Sequence, residues 1–348
     1  MSTDYSLKNQ KNLKSMENKN KTSQISRREF LGGAAAFAGL TLIPGGLAFG
    51  KNPLPSFNAP QGGVTFGVIS YSYRSIPHGA RAILDWVLYA GLTSVELMGG
   101  AVEEYAGAPV YDGPPFTRGV QMTEQQRNEM MAARQRHAEE MKNWRLSVSM
   151  DKFRELRQMY NNAGVNIDIT KLGNPNWSDE EIDYAFNVAK TLGSRGITFE
   201  IGIEPAKRMA PFAERHGLYA IMHNHGQPGQ PGFSFEEHLA FGKNLMLNLD
   251  VGHYWGATGQ HPNHVIEKFH NRIISLHIKD KTGPNEEPRD ANMPFGEGST
   301  PLGDILRLIS DRGWPITTDI ELEYQIPQGS NAVEEVKKCA DYCRSLIA

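Results

Sequence analysis

Two short apolar runs in the middle of the sequence end in side chains that bind metal ions. The first run, residues 245–250, is followed by Val, Gly and His253, and the second, residues 273–280, contains His277 and Lys279. The segment between the two runs is long enough for a helix, which predicts a βαβ unit. Parallel α/β folds build their sites at the carboxyl ends of the strands, so we expect a site where these runs end.

Acidic and imidazole side chains recur at the ends of the later predicted strands. Because side chains along a strand alternate between its two faces, residues two apart share a face. Such groups are His223 with His225, Thr198 with Glu200, His277 with Lys279, and Asp319 with Glu321 and Glu323. A charge inside a barrel is costly unless it is paired or bound to a metal, so this convergence predicts a site at the mouth of the sheet.

The types of these side chains suit a divalent cation. Carboxylate and imidazole donors without cysteine fit Mn²⁺ first, with Co²⁺, Mg²⁺ and Zn²⁺ as alternatives. The two cysteines, Cys339 and Cys343, lie four apart near the C-terminus, which excludes a cysteine-based zinc site. Such an ion would chelate a substrate carbonyl and the adjacent hydroxyl, and would stabilise an enediolate as a Lewis acid.

The elements around these residues alternate between strand and helix. Predicted strands occupy residues 64–73, 94–98, 146–150, 166–171, 196–202, 218–225, 245–250, 273–280 and 316–324. Their alternation with amphipathic helices predicts a (β/α)₈ TIM barrel over residues 64–348. A doubly wound sheet would show a Gly-rich turn after the first strand, which is missing here. Residues 99–117 are rich in Gly, Pro and Tyr, and we interpret them as a lid.

The first 50 residues resemble a twin-arginine export signal. Ser26-Arg27-Arg28 precedes a small-residue apolar stretch, which is too short and too rich in Gly to span a membrane comfortably. We therefore predict export to the periplasm by the twin-arginine machinery. Residues 1–50 would be the signal, removed near Gly50 or retained as an anchor, and residues 51–63 a leader.

Charge argues against a nucleic-acid partner. The net charge of the 348-residue chain is −3, with 36 Lys and Arg against 39 Asp and Glu. Residues 1–50 contain seven of the former and three of the latter, so the remaining chain carries 29 − 36 = −7. A DNA-binding groove needs positive charge. We expect a small carbohydrate partner instead, and the chain is compatible with a homo-oligomer.

Five stretches resemble the xylose isomerase-like TIM barrels, the sugar phosphate isomerase/epimerase superfamily. In chain order they are IMHNHG, LNLDVGHYWGATG, ISLHIKDK, FGEGSTPLGDIL and DIELEY. The resemblance spans residues 64–348. It implies a divalent metal held by Asp250, His277 and Glu321, and a substrate contact from His253. Glu297, within the GEG turn, is also expected to contact substrate.

One departure concerns the fourth metal ligand. Many relatives have Glu at the position of His223 in this chain. We expect Glu200 to be the ligand, because a carboxylate keeps the charge balance, and His223 to contact substrate together with Glu96. The alternative makes His223 the ligand.

The predicted function is removal of a proton α to a sugar carbonyl. His225, Lys279 and Glu323 are the candidate acid–base residues. The leading prediction is an isomerase or epimerase for a non-phosphorylated sugar or keto-sugar, since phosphosugars are scarce outside the cytoplasm. The alternatives are a lyase that eliminates a β-substituent from 3-keto-glycosides, and a non-catalytic carbohydrate-binding barrel. Abasic-site endonucleases of the superfamily fit the negative charge poorly.

Overall fold

A computed structural model of the chain describes residues 63–115 and 121–348. Within them eight parallel strands close into a barrel in the order β1-β10-β7-β6-β5-β4-β3-β2, and a two-stranded hairpin, β8-β9, lies outside it. The strands are β1 Thr65–Ile69, β2 Ser94–Met98, β3 Asn166–Lys171, β4 Gly196–Glu200, β5 Tyr219–His223, β6 Leu245–Asp250, β7 Ile273–Ile278, β8 Asp280–Lys281, β9 Asn292–Met293 and β10 Thr317–Ile320. The predicted (β/α)₈ TIM barrel is confirmed.

Helices follow the strands on the outside of the barrel. They are α1 Ala80–Tyr89, α2 Gly99–Tyr105, α3 Glu124–Ser147, α4 Asp151–Asn162, α5 Asp179–Leu192, α6 Ile203–His216, α7 Phe235–Leu239, α8 Val251–Thr258, α9 Asn263–Phe269, α10 Leu302–Arg312 and α11 Ala332–Ser345. Short 3₁₀ turns lie at Ser70–Tyr73, Gln227–Gly229 and His270–Arg272. None of the helices in the described ranges is long and apolar enough to cross a membrane.

Local sequence signals explain where the outer helices begin and end. The predicted capping box at the start of α5 is present: Ser178 accepts from the backbone of Glu181, and the Glu181 side chain accepts from the backbone of Ser178. The helix ends at Gly193, whose φ of 81° suits glycine. Helices and strands pack their apolar faces together around the barrel, while Ile169, Ile221, Met246 and Ile274 form a second, small buried cluster.

The connection between β2 and β3 differs from the sequence prediction at two places. The predicted strand at residues 146–150 is wrong, because Leu146 continues α3 and is 49% exposed, and β2 pairs directly with β3. The predicted lid begins as helix α2. Gly99 starts it, and a Cβ atom there would lie 2.7 Å from Leu172 Cδ1 and 3.0 Å from the backbone oxygen of Lys171, which favours glycine. Residues 116–120 of that segment lie outside the described residues.

Several strands end earlier than predicted, and after β1 side-chain hydrogen bonds replace the strand ladder at the mouth. The first strand stops at Ile69, and the following 3₁₀ turn places two serines between strands. Ser70 accepts from the backbone of Met98 at 2.9 Å. Ser72 donates to the backbone oxygen of Ile320 at 3.2 Å and accepts from the nitrogen of Leu322 at 3.0 Å. These bonds tie β1 to β2 and β10 at the end where the site lies. The predicted signal and most of the leader lie outside the described residues.

Candidate metal centre

Four buried side chains from adjacent strands converge at the carboxyl end of the barrel. They are His223, which ends β5, Asp250, which ends β6, His277 in β7, and Glu321, directly after β10. One donor atom of each lies within 4.8 Å of all the others. Their exposed fractions are 1%, 0%, 0% and 4% respectively. We call these residues the four-residue cluster. A buried His/Asp/Glu group of this composition could hold a metal ion.

The convergent atoms are also the ones that lack hydrogen-bond partners. His277 Nδ1 lies 2.8 Å from Glu321 Oε2, and His223 Nε2 lies 3.5 Å from Asp250 Oδ2. Within the described part of the chain, none of these four atoms makes a hydrogen bond of good geometry. Buried polar atoms in folded proteins are almost always paired. The two carboxylate oxygens among these atoms contact the ammonium group of Lys279, so the set already attracts a cation.

The two carboxylate oxygens of Asp250 have different roles: one caps a helix, and the other faces the four-residue cluster. Asp250 caps helix α8, because its Oδ1 accepts from the backbone nitrogen of His253 at 2.7 Å. Its own backbone nitrogen donates to Asn224 Oδ1 at 3.0 Å. These two bonds fix the carboxylate, and they leave Oδ2 directed at the cluster.

Lys279 lies against the same carboxylates. Its Nζ is 3.0 Å from Asp250 Oδ2, 2.9 Å from Glu321 Oε2 and 2.6 Å from Glu323 Oε2. The side chain is only 2% exposed, and its stem passes over Gly252, where a Cβ atom would lie 2.2 Å from Lys279 Cγ. The glycine of the Asp-Val-Gly-His motif therefore makes room for this lysine.

The site holds more negative than positive side-chain charge. Its carboxylates are Glu96, Glu200, Asp250, Glu321 and Glu323, and its ammonium groups are Lys171 and Lys279. With every imidazole counted as neutral, five against two gives −5 + 2 = −3, and a dication would reduce the excess to −1. Buried charge of one sign is costly, so this excess favours a bound cation.

The directions of the pKa shifts also indicate that negative charge dominates the site. Burial alone would lower the pKa of His277, but the carboxylates of Glu321 and Glu96 raise it well above its ordinary value. Burial would raise the pKa of Asp250, yet Lys279 holds it well below its ordinary range. For Glu323, burial opposes the hydrogen bond from His253 and the charge of Lys279, and the pKa falls to about 2.

A second, more exposed group of side chains lies on the rim beside the four-residue cluster. His225 Nδ1 lies 3.0 Å from Glu200 Oε2, and Lys171 Nζ lies 3.1 Å from Glu200 Oε1. The rings of His225 and His253 are 4.8 Å apart, and His253 Nε2 is 3.4 Å from Glu323 Oε2. We call Glu200, His225, His253 and Glu323 the rim residues. Their side chains are 51%, 47%, 15% and 18% exposed.

Most of the predicted site residues therefore come together, but in different positions relative to the ion site. His223 belongs to the four-residue cluster, whereas Glu200 faces the other ring nitrogen of His223 at 3.6 Å. Glu96, which we expected to contact substrate, is fully buried behind His277. Glu297 is exposed on a turn that Asp280 anchors through the backbone nitrogens of neighbouring glycines, and no described contact joins it to the cluster.

Three further residues of the site were missed in the sequence. Lys171 ends β3, and the rule that strand ends carry the site would have found it. Asn248 lies two residues before Asp250, on the same strand face, and contacts both Glu96 and His277. Asn224 follows β5 and lies between His223 and His225 in the sequence. Nothing in its spacing from other polar residues marked it as part of the site.

Comparison with known proteins identifies the family. A profile of the xylose isomerase-like TIM barrels matches residues 129–346. The chain belongs to this family. The match covers β3 to β10 and therefore every residue of the four-residue cluster.

The individual relatives carry different activities. Inosose dehydratase from Mesomycoplasma hyopneumoniae is 27% identical over 170 residues, which cover 43% of this chain and 55% of the relative. A sugar phosphate isomerase/epimerase from Parabacteroides distasonis superposes with a TM-score of 0.50 at 17% identity, over 84% of this chain and 97% of its own. The probable 3-DHS dehydratase of petrobactin synthesis from Bacillus anthracis gives 0.52 at 15% identity, over 80% and 98%. The chain thus spans about half the length of the curated relative, and the solved structures share its fold.

Proposed function

We propose that the protein is a divalent-metal-dependent enzyme that removes a proton α to the carbonyl of a non-phosphorylated sugar or keto-sugar. The observation that carries the proposal is the set of four convergent donor atoms of the four-residue cluster, all from buried side chains and within 4.8 Å of one another. The rim residues next to it supply groups that can accept and return a proton. A buried charge site beside half-exposed acid–base groups is typical of an active site.

His223, Asp250, His277 and Glu321 would hold the ion, and their mixed donors favour Mn²⁺, with Co²⁺, Mg²⁺ and Zn²⁺ as alternatives. When bound, the ion would supply Lewis acidity at the substrate carbonyl. Choosing His223 over Glu200 as the fourth ligand rests on its burial and on the direction of its Nε2 atom.

Two proton-transfer groups flank the open side of the cluster. His225 is half-exposed and is oriented by Glu200, whose hydrogen bond raises the pKa of His225. Glu323 is held by Lys279 and His253, which keep it ionised and able to accept a proton. We assign them as the acid–base pair, with Lys279 as the residue that fixes Glu323. His253 lies between the two and is placed to donate a hydrogen bond to a substrate hydroxyl.

The charge pairing supports a substrate without phosphate. Both ammonium groups near the cluster are already paired: Lys171 with Glu200, and Lys279 with three carboxylates. A phosphate would need a cationic or helix-terminal cradle of its own. Carboxylates and imidazoles on the rim match hydroxyl groups, which both donate and accept.

Isomerisation or epimerisation is the first candidate reaction, since reprotonation from the rim completes either one. β-Elimination, as from a 3-keto-glycoside, is the second candidate. It is favoured by two relatives that carry the name dehydratase. Both routes begin with the same proton removal, and they differ in whether a bond to a β-substituent breaks.

Solvent deuterium distinguishes these reactions. The protein is incubated in D₂O with Mn²⁺ and, separately, free ketoses, aldoses and 3-keto-glycosides, and the products are analysed by mass spectrometry and NMR. Deuterium at the α carbon with all other bonds intact supports isomerase or epimerase activity. Loss of the substituent with a new C=C bond supports the lyase.

The controls are Asp250→Asn, which disables the proposed ion site, and Glu204→Gln, which alters an exposed carboxylate paired with Lys207 on α6. Turnover without solvent label would contradict proton removal, because a hydride shift carries its own hydrogen. Metal-free protein with neither turnover nor exchange would point to a carbohydrate-binding barrel.

We also propose export through the twin-arginine route, on the sequence of residues 26–50 alone. The test is Arg27→Lys combined with Arg28→Lys, followed by cell fractionation. We expect the double variant to stay inside the cell while the wild-type protein reaches the periplasm. Equal export of both would remove the argument from location against phosphosugars.

A further inference from the structure

Each of the two histidines in the four-residue cluster has a carboxylate behind it. His277 Nδ1 faces the cluster, and its Nε2 lies 2.8 Å from Glu96 Oε2. His223 Nε2 faces the cluster, and its Nδ1 lies 3.6 Å from Glu200 Oε2. In both rings one nitrogen points to the proposed ion and the other to a carboxylate that lies outside the four-residue cluster.

The carboxylate of Glu96 is held in place by two hydrogen-bond donors. It is fully buried, Thr198 Oγ1 donates to its Oε1 at 2.5 Å, and Asn248 Nδ2 donates to its Oε2 at 2.8 Å. The Thr198 hydroxyl and the Asn248 amide both approach its oxygens as donors, which suits a carboxylate. The carboxylate 2.8 Å from Nε2 favours a proton on that nitrogen, and Nδ1 is then the ring atom directed at the cluster.

Glu200 is the looser counterpart. It is about half exposed, and its carboxylate is shared with His225 at 3.0 Å and Lys171 at 3.1 Å. Its distance to His223 is longer than a hydrogen bond of good geometry. Both histidines thus have a carboxylate near the ring nitrogen that faces away from the cluster. The carboxylate near His277 is buried and within hydrogen-bond distance, whereas the one near His223 is more distant and half exposed to solvent.

We propose that Glu96 is a positioning residue, which fixes the ring tautomer of His277 so that the metal is bound by its Nδ1, and that Glu200 positions His223 through its charge alone, so that the metal is bound by Nε2. The inference rests on the proposed metal function. It gives Glu96 and Glu200 roles other than substrate contact and metal ligation. A carboxylate that accepts from the far nitrogen of a metal-binding histidine fixes ring orientation and raises ligand basicity, and its loss typically lowers metal affinity 10- to 100-fold.

The first test is Mn²⁺ affinity, measured by titration of apo-protein, so that it needs no substrate. Glu96→Gln keeps the size of the side chain and an acceptor oxygen but removes the charge, and we expect a loss of about 10- to 100-fold. Glu103→Gln is the matched control, because Glu103 is also a buried, ion-paired carboxylate, 2.8 Å from Arg145. Equal affinities of wild type, Glu96→Gln and Glu103→Gln would overturn the role of Glu96.

The second test compares the two carboxylates. Glu200→Gln should lower Mn²⁺ affinity less than Glu96→Gln does, because its contact with His223 is longer and more exposed. Metal stoichiometry decides the role of Glu200: one ion per chain supports a positioning residue. Two ions per chain, with the second lost in Glu200→Gln, would make Glu200 a ligand together with His225 and would overturn its assignment.

The third test uses only the wild-type protein, in case the Glu96 variant does not fold. An imidazole bound through Nδ1 has one carbon-bound proton adjacent to the ion, and one bound through Nε2 has two. Proton NMR of the Co²⁺-loaded protein should therefore show one strongly broadened ring proton for His277 and two for His223. It should also show a slowly exchanging shifted N–H proton from the buried Nε2 of His277. The opposite pattern would overturn the assignment, whereas failure to bind Mn²⁺ or Co²⁺ at all would overturn the metal centre itself.

Discussion

Within the described residues, two groups of charged and polar side chains lie at opposite ends of the barrel. At the amino-terminal end Asp168, Arg195 and Thr317 form a network, and at the carboxyl end lies the four-residue cluster. Arg195 precedes β4, and Thr317 begins β10. Because β2 and β1 separate β3 from β10 in the barrel, the contact between Thr317 and Asp168 crosses its interior.

The two groups differ in how completely their polar atoms are paired. Arg195 Nε donates to Asp168 Oδ1 at 2.7 Å, and its Nη2 contacts Asp168 Oδ2. The same guanidinium donates to Thr317 Oγ1 at 2.9 Å and to the backbone oxygen of Ile274 at 3.0 Å. In the four-residue cluster one donor atom of every member lacks a hydrogen bond. An aspartate thus belongs to a closed ion pair at one end and to an open donor set at the other.

The comparison supports the proposed site by the convergence of its donor atoms on one point, rather than by the presence of buried charge alone. A buried ion pair whose polar atoms are all hydrogen-bonded holds strands together and has no atom left to bind a ligand. An unsatisfied set is costly by itself and becomes favourable when a cation completes it. Variants in the two groups should therefore fail in different ways.

The largest expected effect is the loss of activity when the open set is damaged. Asp250→Asn or His277→Ala should bind no Mn²⁺ and should lower the rate of α-hydrogen exchange by about 10³-fold or more, since Lewis-acid stabilisation is worth several kcal/mol. Circular dichroism should show a folded barrel in both variants. Stoichiometric metal in both would mean that the ion lies elsewhere.

The next effect is on stability and concerns the closed pair. Arg195→Met leaves Asp168 buried without its partner, and we expect the free energy of unfolding to fall by about 3–5 kcal/mol. Urea denaturation measures it. Lys207→Met, which breaks an exposed pair with Glu204 on α6, is the control and should change stability by about 1 kcal/mol or less. Similar losses in the two variants would contradict the assignment of a structural role to Arg195.

A smaller effect should come from the ion itself. Mn²⁺ at 100 times its dissociation constant should stabilise the wild-type protein by about 2.7 kcal/mol, because it binds the folded state alone. The same addition to His277→Ala should have no effect, while Arg195→Met should respond like wild type. Thermal unfolding with and without Mn²⁺ checks this. An equal response in His277→Ala would show that the stabilising ion binds at another place.

Much of this arrangement could be predicted from the sequence, because strand patterns are local. Period-2 alternation placed Glu321 beside Glu323, and short apolar runs ending in Asp250 and His277 located the mouth. The regular order of strands and helices predicted the barrel. The false strand at residues 146–150 had a suitable apolar composition, but the ladder from β2 to β3 has no place for it.

The sequence could not show how deeply each side chain is buried or in which direction its polar atoms point. His223 and His225 share a strand face, yet one is 1% and the other 47% exposed, because β5 ends between them. Glu96 looked like other strand-end acids, and only the three-dimensional structure shows it behind His277. These facts depend on where each strand stops and on which ring nitrogen faces the cluster, and neither has a signature in residue spacing.

The smallest effect is expected when the closed pair is removed as a whole. Asp168→Leu combined with Arg195→Met takes away both charges, so the penalty for an isolated buried carboxylate disappears. Three costs remain: Thr317 loses its partners, and the backbone oxygens of Ile274 and Pro315 each lose a donor. We therefore expect a residual loss of about 1–2 kcal/mol relative to wild type, which is less than that of Arg195→Met alone.

Urea denaturation of the double and single variants under the same conditions measures the difference. A double variant as unstable as Arg195→Met would mean that the guanidinium acts through its hydrogen bonds to the backbone rather than by neutralising Asp168, and the contrast between a closed and an open end would lose its electrostatic basis.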